Sequence, residues 1–167
     1  MALNKFFHVF IPLLTTLCLC GIAQSGSDQK GQDKYLQLKA MIESKHYYFH
    51  ANSATSMKGR TIQLTSEYFL KMNNDSLLVD LPYYGRAYSS DYPGTDIAYQ
   101  FTSTQFSYVI DTTKNGGWEI AIVPKNESKA SKIYLSISSA GYCTLRINSN
   151  SRQAISYYGT ITAYDAH

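Results

Sequence analysis

From His46 to the end of the chain, apolar side chains recur at every second position, and no later stretch keeps a helical spacing. A period of two places alternate residues on opposite faces of an extended strand. Tyr47, Phe49 and Ala51 alternate with His46, Tyr48 and His50, and Leu77, Val79 and Leu81 form a similar face. The pattern returns in Tyr68, Leu70 and Met72, in Ile97, Tyr99 and Phe101, and in Phe106, Tyr108 and Ile110. It continues through Trp118, Ile120 and Ile122, then Ile133, Leu135 and Ile137, then Cys143, Leu145 and Ile147. Ile155, Tyr157 and Ile161 close the series, and Ile62 with Leu64 adds a short member near its start. Lys58-Gly59-Arg60, Asn73-Asn74-Asp75, Asn115-Gly116-Gly117 and Ala140-Gly141 supply turn chemistry between these runs. The series predicts about eight or nine strands, each with one apolar and one polar face.

Parallel strands are buried on both faces and need crossover helices. Neither is present, so the sheet is expected to be antiparallel and meander-like. So many strands must curl or close to hide their edges. The expected fold is therefore mainly β, an antiparallel meander β-barrel, with a β-sandwich as the alternative. One helix is expected before the strands. Across Gln32–His46, Tyr35, Leu38 and Ile42 fall three and four apart, while Lys34, Lys39, Glu43 and Lys45 occupy mainly other sides. The chain of 167 residues suits one domain. Fifteen tyrosines and a charged content of 16%, against about 25% for ordinary soluble domains, fit an ordered β-rich chain. A net charge of +3 is too small for a nucleic-acid footprint.

The first residues read as an address. Lys5 precedes an almost wholly apolar run, Phe6–Ile22, and Gly21-Ile22-Ala23 places small residues where a signal peptidase cuts. A signal peptide over 1–23 is expected, then a flexible polar leader over 24–31 and a single domain over 32–167. The protein is expected to be exported, in the periplasm or at the outer envelope. A membrane anchor would sit at the short edge of the ~17–25 residues needed to span. Lipidation at Cys18 or Cys20 fits poorly, because a leucine precedes each. With cleavage after Ala23 only Cys143 remains, so no disulfide framework holds the fold.

Gly59-Arg60-Thr61-Ile62-Gln63-Leu64-Thr65-Ser66, Leu81-Pro82-Tyr83-Tyr84-Gly85-Arg86-Ala87-Tyr88, Gly117-Trp118-Glu119-Ile120 and Leu135-Ser136-Ile137-Ser138 occur in that order. With these runs the chain, from about Lys34 to its end, resembles the family catalogued as domain of unknown function 4251. Its members are exported proteins found mainly in Bacteroidetes. The resemblance implies a bacterial envelope protein with a lipocalin-like β-barrel. It implies no activity and carries over no catalytic residues.

No constellation for catalysis stands out. His46 and His50 would pair on a helix, but four residues of strand span about 13 Å, too far for one ion. Cys143 shares strand parity with Leu145 and Ile147 and is expected in the core. Glu67, Asp80, Asp91, Asp96, Asp111 and Glu119 are scattered, and no phosphate loop, nucleophile elbow or zinc motif occurs. The sequons at Asn74 and Asn126 are read as chance. No metal, no cofactor and no enzymatic activity are expected.

The connection Pro82–Asp96 is far longer than the usual 2–5 residues, roughly, of a hairpin loop. It carries Tyr83, Tyr84, Arg86, Tyr88 and Tyr92, which combine aromatic surface with a planar cation. These five are the candidate ligand-binding residues, the alternative being a loop that folds back as a structural clasp. The leading expectation is a non-enzymatic binding barrel taking a small molecule, glycan or lipid-like ligand at one end. The alternative is an interaction module with a filled interior, meeting an envelope protein through the outward Tyr48, Tyr134, Tyr142 and Tyr158. Interior volume separates the two.

Overall fold

The alternating segments become ten strands behind one helix. The computed structural model describes residues 26–85, 98–125, 127 and 129–164. The expected signal peptide, both of its cysteines and the sequon at Asn126 lie outside those residues. The elements run α1 (Gly26–Glu43), β1 (His46–Ser56), β2 (Thr61–Gln63), β3 (Phe69–Asn73), β4 (Ser76–Pro82) and β5 (Ala98–Ser103). They continue through β6 (Phe106–Thr112), β7 (Trp118–Pro124), β8 (Lys132–Ile137), β9 (Tyr142–Asn148) and β10 (Ile155–Ala163).

All strands join one sheet in the order β5-β4-β3-β1-β10-β9-β8-β7-β6, with β2 beside β1. A sandwich needs two facing sheets, so the barrel-like alternative is the one realised, as a curled antiparallel half-barrel. Every pairing along this path is antiparallel, so β5 and β6, at its two ends, run in the same direction. Only Thr104 and Gln105 separate them. They act as two halves of one bent strand, the first pairing with β4 and the second with β7. Lys125 N donates to Gln105 O at 2.8 Å and extends the β7 side of this corner.

Inward parity is as expected. Trp118, Ile120, Ile133, Leu135, Ile137, Leu145, Ile147 and Ile155 are all buried, and Phe106 packs partly buried against them. The interior also holds Tyr47, Tyr99, Tyr157 and Phe49, each fully buried. Ile110 shares the inward parity but lies exposed near the end of β6.

β1 changes face midway. The pairing with β10 shifts between Ala51 and Ser53, a bulge that leaves Asn52 outside the register. The bulge bends the strand and leaves both Ser53 and Ala54 buried, so the buried apolar set moves from Tyr47, Phe49 and Ala51 to Ala54. The first half of β1 pairs with β3 and the second with β2. Opposite Ala51 stands Gly159, where an added Cβ would collide with the His50 carbonyl and the Phe49 ring. Glycine is what permits β1 and β10 to approach there.

α1 starts at Gly26, not at Gln32 as periodicity predicted, so part of the expected leader is helical. Its first turns carry no buried side chain among the described residues; Leu38 and Ile42 supply the buried stripe. The Tyr35 ring stacks on Trp118 at 5.3 Å, so α1 covers the end of the half-barrel where β7 begins. The helix ends at Glu43 rather than His46. Lys45 takes a left-handed φ of 53° and sets its ammonium over the Tyr108 ring at 5.1 Å.

Candidate functional site

The opposite end of the half-barrel is where the long Pro82–Asp96 connection leaves the sheet. β4 ends at Pro82, whose carbonyl accepts a 2.7 Å hydrogen bond from the Tyr157 hydroxyl, inward from β10. The next residue turns in as well. Tyr83 is only 4% exposed, and its hydroxyl donates to the Gln153 carbonyl at 3.1 Å. Its ring folds back over Gly85, where any Cβ would strike it, and meets Tyr99 edge-on at 5.5 Å. Tyr84 points the other way and is 43% exposed. Arg86, Tyr88 and Tyr92, the other three expected site residues, lie outside the described residues.

The cation at this end is Arg152, which sequence reasoning did not single out. It extends from the β9–β10 connection, with its guanidinium carbon 5.2 Å from the centre of the Tyr83 ring and 5.4 Å from that of Tyr99. One nitrogen donates to the Ala98 carbonyl at 3.5 Å. A guanidinium over aromatic faces is a cation–π arrangement. Ser149 and Ser151, hydrogen-bonded to each other at 3.2 Å, shape the turn that carries Arg152. The Tyr99 hydroxyl is buried with no hydrogen-bond partner among the described residues. Burial raises the Tyr99 pKa, and the Arg152 charge partly opposes that shift. Tyr157 is raised in the same way, burial again being the largest cause. The cluster therefore presents neutral phenols and one cation beside the mouth of the long connection.

Other chemistry is committed elsewhere. The Cys143 thiol is buried, and burial followed by the Glu119 charge pushes its pKa up, so it stays protonated and packs as a small hydrophobe. His46 lies against Tyr164 at 5.2 Å and His50 against Tyr48 at 4.2 Å. No group of three or more His, Cys, Asp or Glu side chains able to hold a metal occurs among the described residues. On the outer face Tyr142 and Tyr158 are 53% and 48% exposed and lie side by side at 6.2 Å. Tyr48 stacks on Phe69 at 4.9 Å, and Lys132 covers Tyr134 at 4.7 Å. Grooves of about 450, 470 and 480 Å³ open on this face and beside α1; none is lined by Tyr47, Phe49, Tyr99 or Tyr157 of the interior.

The half-barrel with its leading helix has a counterpart in a sequence family. The family described as "Domain of unknown function (DUF4251)" matches residues 29–161, which takes in α1 from its second turn and nearly all of the sheet. The chain belongs to the DUF4251 family. A crystal structure of a DUF4251 family protein from Bacteroides eggerthii superposes with a TM-score of 0.60 at 19% identity, covering 78% of this chain and 88% of that one. At that identity the likeness shows the DUF4251 fold and nothing of its chemistry. No curated protein matches the sequence.

Proposed function

We propose that this DUF4251 protein is an exported, non-catalytic binding protein of the bacterial envelope, whose ligand engages the loop end of the half-barrel rather than its interior. The observation that carries the reading is Arg152 laid over Tyr83 and Tyr99, beside a Tyr99 hydroxyl that is buried and has no hydrogen-bond partner among the described residues. A buried hydroxyl without a partner is costly and invites a polar ligand atom. The interior is occupied by rings and branched aliphatics, which speaks against a ligand inside the barrel and leaves the rim and the outer face. Tyr84 is exposed at the same end, and Arg86, Tyr88 and Tyr92 follow it in the chain. Aromatic faces with a five-donor cation suit a glycan or the polar head of an acyl ligand. The apolar run Phe6–Ile22 and the Gly21-Ile22-Ala23 ending support export.

Native mass spectrometry of the protein purified from its own cell envelope tests this reading. The expected species starts at Gln24 and carries a small-molecule adduct. Arg152→Ala should lose the adduct while costing about 1–2 kcal/mol of stability, the scale of two partly buried cation–π contacts. An adduct retained by a folded Arg152→Ala protein overturns the site, and an acylated chain starting at Cys18 or Cys20 overturns the export route. The second reading, an interaction module, draws on the exposed Tyr142 and Tyr158 and would give an adduct of protein mass.

A further inference from the structure

We propose that the groove of about 450 Å³ on the outer face, between the β6–β7 hairpin and the Tyr142–Tyr158 pair, is a second binding site, for a neutral saccharide. It lies at the α1 end of the sheet and does not depend on the loop-end cluster. Its volume falls within the ~300–1,000 Å³ of ligand sites.

Each wall follows from strand parity. Ser136 on β8 and Thr144 on β9 stand opposite each other on the outward face and make the floor. Thr144 is in turn paired with Tyr158 on β10, so the aromatic wall adjoins that floor. The Tyr142 and Tyr158 rings are parallel within 11° at 6.2 Å. That spacing is offset rather than face to face, and the rings are about half exposed, so flat aromatic surface remains open to a ligand. A tyrosine also loses little conformational entropy on binding, because it has few rotatable bonds.

The polar groups are held in place before any ligand arrives. Gly117 N donates to Thr113 Oγ1 at 2.9 Å, and Tyr142 N donates to Ser138 Oγ at 3.1 Å. A hydroxyl that accepts from the backbone keeps its own proton to donate. Thr113 and Ser138 thus become fixed donors at the two turns that frame the groove. Asn115 adds an amide with both donor and acceptor character, and Thr144 adds a hydroxyl.

The charge pattern selects against anions. No Lys or Arg is among the described residues that line the groove, and Ser136 donates to the Glu119 carboxylate at 2.6 Å beside it on the same outward face. An anionic ligand would meet a negative charge with no cation to offset it. Glu119 keeps its charge and its remaining lone pairs, so a cation is the competing ligand, and the tetramethylammonium control below tests for it. What fits is a neutral molecule with one flat C–H face for the tyrosines and alternating donors and acceptors at its edge. A pyranose ring has that form.

Amide-resolved NMR titration of the mature chain tests the proposal, using cellotetraose, maltotetraose and chitotetraose as neutral probes. Tetramethylammonium and a sulfated disaccharide serve as charged controls. At least one neutral probe should shift the amides of Gly117, Ser138, Tyr142 and Thr144, and neither control should. Tyr142→Ala and Tyr158→Ala, both at exposed positions, should each weaken binding about tenfold, whereas Tyr142→Phe, which keeps the ring, should not. Arg152→Ala should leave this binding unchanged, which separates the result from the fate of the loop-end site. The proposal is overturned if no neutral probe moves those amides at millimolar concentration. Equal shifts from a charged control, or unchanged binding in both alanine variants, would also overturn it.

Discussion

The tyrosines of this chain take opposite roles according to the strand face they occupy. Tyr47, Tyr99 and Tyr157 point inward and are fully buried, whereas Tyr142 and Tyr158 point outward on neighbouring strands. Buried phenols resist ionisation. Burial, followed by the Glu67 carboxylate, pushes Tyr48 up to about 12, and burial pushes Tyr108 up to about 12. Tyr47, Tyr99 and Tyr157 are raised as well, with burial again the largest cause. An unfolded tyrosine ionises near ~10. The folded chain therefore holds protons that the unfolded chain releases, and this contribution is complete below pH ~10. It is lost as pH rises from ~10 through the raised values. Thermal midpoints should stay level on the approach to pH ~10 and then fall, with much of the tyrosinate absorbance appearing only on unfolding. A midpoint indifferent to pH up to ~12, with all tyrosines titrating near ~10, would contradict this burial. The sequence showed which tyrosines turn inward, because parity is local. It did not show Arg152. That side chain sits in a polar turn with no periodic signal, and it reaches Tyr83 only because β4 ends and β10 begins at the same end of the sheet.

Parity at the level of the element was legible throughout, and its interruptions were visible without their meaning. The buried set moves from odd to even numbers twice, once within β1 and once between Phe101 and Phe106. The first shift is a bulge inside a strand; the second is the bend that joins β5 to β6. A sequence cannot separate either from a hairpin turn, since all three insert residues between alternating runs. The start of α1 escaped for a different reason. Gln29 to Lys34 are exposed, and Gly26–Gly31 carries no apolar spacing to read. Where parity is uninterrupted it makes a quantitative claim. Ile137→Ala should cost about 2–5 kcal/mol by lost burial and a cavity. Ser136→Ala, one position away on the exposed face, should stay within about 0.5 kcal/mol. Chemical denaturation of both variants checks the pair, and equal costs would contradict the assigned faces.

For the molecule as a whole, the bend that joins β5 to β6 sets the shape of the half-barrel. The sheet curls until its two ends share residues 98–112, and α1 covers one end with Leu38, Ile42 and Tyr35. Alternation announced a curled antiparallel sheet, yet it could not say whether the interior was empty, because that depends on how far the sheet curls and which rings meet inside. Tyr47, Phe49, Tyr99 and Tyr157 meet there, alongside Leu135 and Leu145. The proposed binding at the surface rests on an interior filled by these side chains, and xenon under pressure reads that directly, since it enters dry apolar cavities of about 150 Å³. Crystals of the mature protein pressurised with xenon should show no xenon site enclosed by Tyr47, Phe49, Leu135 and Leu145. An ordered xenon among those four side chains would mean a hollow barrel, and would return the ligand to the interior.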